Sequence, residues 1–393
     1  MKYGQITERW LTEYNSERPH ESLKNLTPEE YRLMTEKPEI SKSGWNQNGY
    51  IYNCTASFGE IMNGIFYNNT ITTLPGWAEP LHLSQPIGYA YETATHFVHL
   101  YGKDHGLNVI SVGLTVIEKK NGTLVDWVQR VFGAQNIQPL SLPIGDTVEN
   151  LWRPSLYYSN DIQVALNIDP YEQRSAEQAL RVLVEKLDDI LLYVEPSQSG
   201  LASYGHKSRE LLILACTEVE NLWTSIFQKA GIPPSNSRMY TTQDYVKLLP
   251  KAGLNEFEIT FKNYNGLRAF QPYANWNTQQ PTQSLSWYHA YNKTKHDRNA
   301  SFNEATLENV MDATSGIIAM FCAKFGPFSL IHDNNALSSL MNQHFHITLK
   351  DSDHSTYYVP KINLPVNTRN DLFLYDCYRE GHNEQWNVQP LVL

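Results

Sequence analysis

Cysteine, membrane-length apolar runs and basic charge are all scarce in this chain of 393 residues, and each shortage removes a class of explanation. The four cysteines, Cys54, Cys216, Cys322 and Cys377, stand far apart and form no CxxC or Cys/His ligand pair, so neither a disulfide scaffold nor a zinc ribbon is expected. Core thiols in a reducing cytoplasm are the expectation. The longest apolar run, Ile317 to Ala323, falls far short of the roughly 20 residues that a bilayer span requires. The opening Met-Lys-Tyr-Gly-Gln-Ile-Thr-Glu-Arg carries no apolar signal core, and a soluble cytoplasmic protein with no membrane partner is expected. With 31 basic against 41 acidic residues the net charge is −10, so no general DNA-binding surface is expected and any nucleic-acid contact has to come from a local patch. Gly-rich phosphate loops, nucleophile elbows and internal repeats are missing. His96, His99 and His105 have no fixed carboxylate or cysteine beside them, so no metal and no cofactor is expected.

Apolar periodicity is plentiful. Tyr171 to Val194 predicts a helix with Ala176, Ala179, Leu180, Leu183, Leu187, Ile190 and Leu191 on its buried side. Breakers Pro196 to Gly200 precede a second helix over 205–230, and a third long pattern runs from Asn303 to Phe325. Thr241–Pro250 predicts a shorter helix. Asn108 to Ile117 predicts a strand, Asn121-Gly122 a turn, and Thr123 the cap of a short helix. Phe257–Phe261 and Leu267–Phe270 alternate as a small hairpin, and 344–349, 357–362 and 371–375 alternate as terminal strands. The expected class is α+β, mainly α: an antiparallel helical bundle over 166–326, a small mixed region over 81–165, and a β-rich tail over 327–393. Residues 1–46 form a helical arm, and 47–80 a seam or linker rich in Asn, Thr and aromatics.

The densest chemistry lies in Ser284-Leu-Ser-Trp-Tyr-His-Ala-Tyr-Asn-Lys-Thr-Lys-His-Asp-Arg298. On a helix Tyr288, Asn292 and His296 share one stripe, and Tyr291, Lys295 and Arg298 the next. Glu218 falls within the apolar stripe Leu211, Leu214, Ala215, Leu222, Trp223 and Ile226 of the second helix. A carboxylate there has to be paired, with Lys295, His296 or Arg298 as the partner, either as a buried pair fixing helix register or as part of an RNA-contacting site. The loop Gln271–Thr282 carries Trp276, which either covers a core edge or stacks on bases.

Two resemblances follow from these residues. The string Trp10-x3-Tyr14-Asn15-x2-Arg18-Pro19-His20-x-Ser22-Leu23-x2-Leu26-Thr27-Pro28-x-Glu30-Tyr31 resembles the extreme C-terminal end of the integrase core of insertion-sequence DDE transposases. Such enzymes join DNA by two-metal chemistry on three carboxylates that precede this segment, and residues 1–46 hold eight Glu and no Asp. The resemblance therefore implies a mobile-element origin without transposase activity. Residues 170–326, through Arg209-Glu-Leu-Leu-Ile-Leu-Ala-Cys-Thr-Glu-Val-Glu-Asn-Leu-Trp223 and Tyr291-Asn-Lys-Thr-Lys-His-Asp-Arg298, resemble the HEPN superfamily of antiparallel helical bundles. That superfamily includes metal-independent ribonucleases of toxin and phage-defence systems and also non-catalytic RNA-binding or scaffolding members. Its usual motif places a His where this chain has Asn303, five residues after Arg298, and Asn exchanges no proton.

The resulting expectation is a mobile-element fusion whose bundle binds or cleaves RNA, as a homodimer. Asn292, Lys295 and Tyr291 are the RNA-binding candidates. His296 is the acid/base candidate, with Arg298 and Glu218 beside it. The alternative is a non-catalytic interaction or sensing protein that dimerises through the bundle.

Overall fold

The computed structural model of the protein describes residues 64–71, 73, 87–103, 107, 109–155, 159–236, 238–332, 335–375 and 386–393. All of them belong to the second of the chain's two compact units, Glu60–Leu393. The arm over 1–46, the first part of the seam, Cys54, His105 and Cys377 lie outside the described residues.

The chain forms β1 (Ile65–Asn68), β2 (Ile87–Glu92), β3 (His96–Lys103), β4 (Val109–Lys119), α1 (Leu124–Phe132), β5 (Gln135–Pro139) and β6 (Asp146–Val148). It continues with α2 (Ser159–Ala165), α3 (Pro170–Leu191), α4 (His206–Lys229), β7 (Phe257–Phe261), α5 (Ser286–His296), α6 (Leu307–Phe325) and α7 (Ala336–His344). Strands β8 (Phe345–Leu349), β9 (Phe373–Tyr375) and β10 (Asn387–Gln389) close it. The fold is α+β.

A six-stranded antiparallel sheet has the order β5-β1-β2-β3-β4-β9. In β3 the two-residue period sends Phe97 and Tyr101 to one face, against Trp127, Val128 and Phe132 of α1. Val98 and Leu100 face the other way and pack with Tyr89, Tyr91, Tyr357 and Ile362. Both faces are covered, which is why Phe97 to Tyr101 reads as a nearly continuous apolar run. Thr123 caps α1 as expected, its hydroxyl accepting from the Asp126 amide at 3.1 Å. The helix stops at Gly133, whose φ of 60° and approach to Thr70 Oγ1, 2.1 Å from where a Cβ would stand, leave room for glycine alone.

The helical part is built around α6, which is buried on every side and touches α3, α4 and α5; α4 in turn packs against α3 and α5. A helix apolar all round belongs in the middle of a cluster, and the pattern Val310 to Phe325 satisfies that rule. Strands from the C-terminal segment complete sheets begun much earlier in the chain: β9 joins β4, β8 pairs with β7, and β10 lies parallel to β6. Phe270 meets Ile259 through a single bridge, so the partner of β7 is β8 and not the expected 267–270 strand. The six-stranded sheet is accordingly larger than the small flanking β regions expected. Its pieces are too far apart in sequence for local alternation to reveal that they pair.

Arg153 ties these parts together from a buried position. One terminal nitrogen reaches both carboxylate oxygens of Glu256, at 2.9 and 2.8 Å, and the guanidinium also donates to Thr356. Among the described residues no helix is long and apolar enough to cross a membrane.

Candidate functional site

Helix α5 buries Trp287, Tyr288, Ala290, Tyr291 and Thr294 against its neighbours. This leaves Lys293, Lys295 and His296 exposed in its last turn, where the free carbonyl ends favour cations. The two tyrosines converge on Glu220 of α4. Tyr288 donates a short hydrogen bond to one carboxylate oxygen, and Tyr291 donates to the other at 3.3 Å. Burial, reinforced by the bond to Glu220, pushes the Tyr288 hydroxyl far above its ordinary pKa, so it remains a donor. Lys295 donates to the Tyr291 hydroxyl at 2.6 Å and lies 4.9 Å from that ring's centre. The hydrogen bond to Tyr291 raises the Lys295 pKa, which keeps the ammonium charged through neutral pH.

The start of α4 joins this turn. Arg209 donates through two nitrogens, at 3.2 and 2.9 Å, to the Thr294 carbonyl, satisfying one of the carbonyls that α5 leaves open at its end. Asp297 then caps the single turn Arg298–Ser301 by accepting from the Ala300 amide at 3.0 Å. Lys293 pairs with Glu304 at 2.9 Å just beyond that turn. Phe302 packs 4.9 Å from the His206 ring and 5.8 Å from the Tyr204 ring. His206 opens α4 one turn before Arg209, so both lie on the side of α4 that meets the end of α5. The last turn of α5 thus carries exposed Lys293, Lys295 and His296, and the start of α4 carries exposed His206 and Tyr204 in ring contact with Phe302.

The residues singled out in the sequence divide over this surface. Lys295 and His296 are exposed on it, Asn292 is half-buried one turn earlier, and Tyr291 lies beneath Lys295. The side chain of Arg298 lies outside the described residues. Asn303 is exposed in the turn after Phe302.

Glu218 requires correction. It is half-buried, and its hydrogen-bond partner among the described residues is Asn221 at 3.4 Å, not a cation of α5. The expected stripe positions Leu211, Ala215, Leu222, Trp223 and Ile226 are buried, but the buried face extends to Leu212, Cys216, Val219 and Phe227, and Leu214, 36% exposed, and Glu218 fall at its edge. The carboxylate that faces α5 is therefore Glu220, which shares the four- and three-residue spacing of Cys216 and Trp223. Glu220, Arg209, His206, Tyr204 and Phe302 were missed. Only the Cys216–Glu220–Trp223 spacing carried a usable signal.

Other polar groups have structural partners. Trp276 is buried, stacked 5.1 Å from Trp223, and covers the core edge. Lys324 of α6 is wholly buried, paired with Glu172 of α3 and bonded to Ser225 of α4 at 2.7 Å. Burial pushes the Lys324 ammonium down to about 8. Burial alone would raise Glu172, but hydrogen bonds from Lys229, Lys324 and Ser225 outweigh it and hold the carboxyl at about 2. Cys216 and Cys322 are buried free thiols whose pKa burial raises. His99 lies in the sheet core, bonded to Tyr67 at 2.5 Å, and His96 bonds Thr95 and the Arg369 carbonyl. Among the described residues no three His, Cys, Asp or Glu side chains gather as a metal site would require.

Comparison with known families finds one match, an integrase core domain, over residues 3–28. No curated protein and no solved structure matches the chain. The amino-terminal segment is integrase-like and points to a transposase-related origin; it covers too little of the chain to speak for the unit that follows.

Proposed function

We propose that the protein is a mobile-element-derived fusion in which a transposase remnant over 1–46 precedes an α+β unit that binds single-stranded RNA at the meeting of α4 and α5. The integrase-like segment supports the first half. The second is argued from this region: Lys295 and His296 are exposed in the last turn of α5, whose Thr294 carbonyl Arg209 of α4 holds, and Tyr204, His206 and Phe302 cluster at the start of α4, on a molecule whose net charge is −10. Cations for phosphate next to rings for unstacked bases are what single-stranded recognition requires, and a local patch suffices where the overall charge is unfavourable. On this reading 170–326 is a HEPN-like bundle that works in the cytoplasm as a homodimer.

Binding is favoured over cleavage because Asn303 stands where the usual motif histidine would, and an amide exchanges no proton near neutral pH. The cleavage reading survives on His296 and His206, two exposed imidazoles at one end of the helix cluster. The test is fluorescence anisotropy with a labelled single-stranded RNA in EDTA, followed by electrophoresis of the same samples. The expected result is salt-sensitive binding that falls about tenfold in the Lys295→Ala, His296→Ala double variant, with the RNA intact. Equal affinity of the variant would remove the RNA reading; EDTA-resistant cutting lost in His296→Ala would replace binding with catalysis.

A further inference from the structure

A cavity of about 430 Å³ lies along the first half of α3, beside the start of α7. Its wall holds a hydrogen-bonded relay. Gln173 is 7% exposed; its amide nitrogen donates to one Glu177 oxygen at 3.0 Å, and its amide oxygen accepts from Gln163 of α2 at 3.2 Å. The relay fixes the half-buried Glu177 carboxylate, whose second oxygen has no hydrogen-bond partner among the described residues. A buried amide that orients a carboxylate at a cavity wall is the support a binding group needs. Arg174 lines the same cavity three residues before Glu177, a spacing at which opposite charges on a helix ordinarily pair. They do not: among the described residues Arg174 has neither an ion-pair nor a hydrogen-bond partner. On a chain with 41 acidic residues and 31 basic ones, a cavity-lining arginine without a carboxylate calls for an anion from outside.

The charges of the walls select the ligand. The other cation of the cavity, Arg181, is engaged with Glu185 at 2.8 Å, and the start of α7 is closed by Asn335, which accepts from the Ser338 amide at 2.8 Å. What remains is one open guanidinium beside one open carboxylate. A phosphate or dicarboxylate would meet Glu177, and a simple cation would meet Arg174, each at a like-charge cost. A zwitterion satisfies both, and side chains three apart on a helix are close enough to reach its two head groups together. We propose that this cavity binds a free α-amino acid with a polar side chain. Its carboxylate accepts from Arg174, its ammonium donates to the open oxygen of Glu177, and its side chain meets the amides of Gln178 and Asn335. Pro170, Ala336 and Leu337 are the apolar part of the walls, too small a surface to select an aliphatic side chain. The site does not depend on the RNA reading.

Titration calorimetry on the full chain tests it, with L-glutamine, L-asparagine and L-serine as probes. Two truncated forms of glutamine separate the contacts: 4-carbamoylbutanoate lacks the ammonium, and 4-aminobutanamide lacks the carboxylate. The expected result is that L-glutamine binds with a dissociation constant of about 1 mM or lower, and each truncated form about tenfold more weakly. Glu177→Gln, which keeps an acceptor for Gln173, is expected to lose about tenfold for L-glutamine and nothing for 4-carbamoylbutanoate. Arg174→Gln is expected to lose about tenfold for L-glutamine and nothing for 4-aminobutanamide. A merely structural role for either side chain would weaken every probe alike, and melting curves confirm that the variants are folded. No binding of the three amino acids by the wild type at about 10 mM, equal affinity for L-glutamine and its truncated forms, or unchanged binding by the two variants would each overturn the assignment.

Discussion

Glu256→Ala is expected to destabilise the Glu60–Leu393 unit by roughly 3–5 kcal/mol, the range for stranding one partner of a buried ion pair. The Arg153 side chain is 3% exposed and that of Glu256 8%, so water has little access to the guanidinium once its carboxylate is gone. Three chain segments separate with it, because Glu256 binds Arg153 and Arg153 binds Thr356. Glu256 also accepts, through its backbone carbonyl, from the Lys350 amide at 2.7 Å, a bond that alanine retains. Urea denaturation measures the loss. The paired change Arg153→Met with Glu256→Met removes both charges together and is expected to recover most of it. A Glu256→Ala loss under about 1 kcal/mol, within the range of exposed pairs, would contradict the tie described here.

Glu172→Ala is expected to be next in size, at roughly 3 kcal/mol, because it leaves the Lys324 ammonium wholly buried with Ser225 as its remaining partner. Lys324→Met removes the charge instead and is expected to be near neutral or stabilising. The two changes have opposite pH signatures. Glu172 has its carboxyl at about 2 in the fold against an ordinary 4.5. Its contribution is complete above about pH 4.5 and lost as the pH falls toward 2. Lys324 is held at about 8 against an ordinary 10.5, so burying its charge disfavours the fold fully below pH 8 and progressively less as the pH rises to 10.5. Denaturation midpoints should therefore show Lys324→Met gaining on the wild type at pH 7 and losing that advantage by pH 10. A constant gap would mean that Lys324 titrates normally.

Local rules carried much of the fold. The helices of 171–194, 205–230 and 303–325 appear within a few residues of their expected ends, because each has a clear apolar period and a breaker or cap beside it. Thr123 and the strand before it were equally plain. Long-range pairing was not: nothing near Phe373 says that it lies beside Ile117, and nothing near Phe257 says that its partner is Leu349. The same limit applied to the site. The α5 stripe Tyr291–Lys295 is a contact within one helix and could be read, whereas the face of α4 depends on three neighbouring helices. There most of the expected apolar positions are buried, but Glu218 lies at the edge of that face, and Glu220 is the carboxylate that meets α5. Lys324 went unnoticed because a lysine in the last turn of a helix ordinarily reaches water, and only the surrounding helices show that this one does not.

The RNA surface is the central claim, and photocrosslinking locates it directly. Single-stranded RNA carrying 4-thiouridine is bound to the full chain, irradiated and digested, and the adducted peptides are sequenced by mass spectrometry. Adducts on Tyr204, His206, His296 or Phe302, reduced in the Lys295→Ala, His296→Ala variant, are the predicted result. Crosslinks confined to other parts of the chain, or the same yield from the variant, would contradict it.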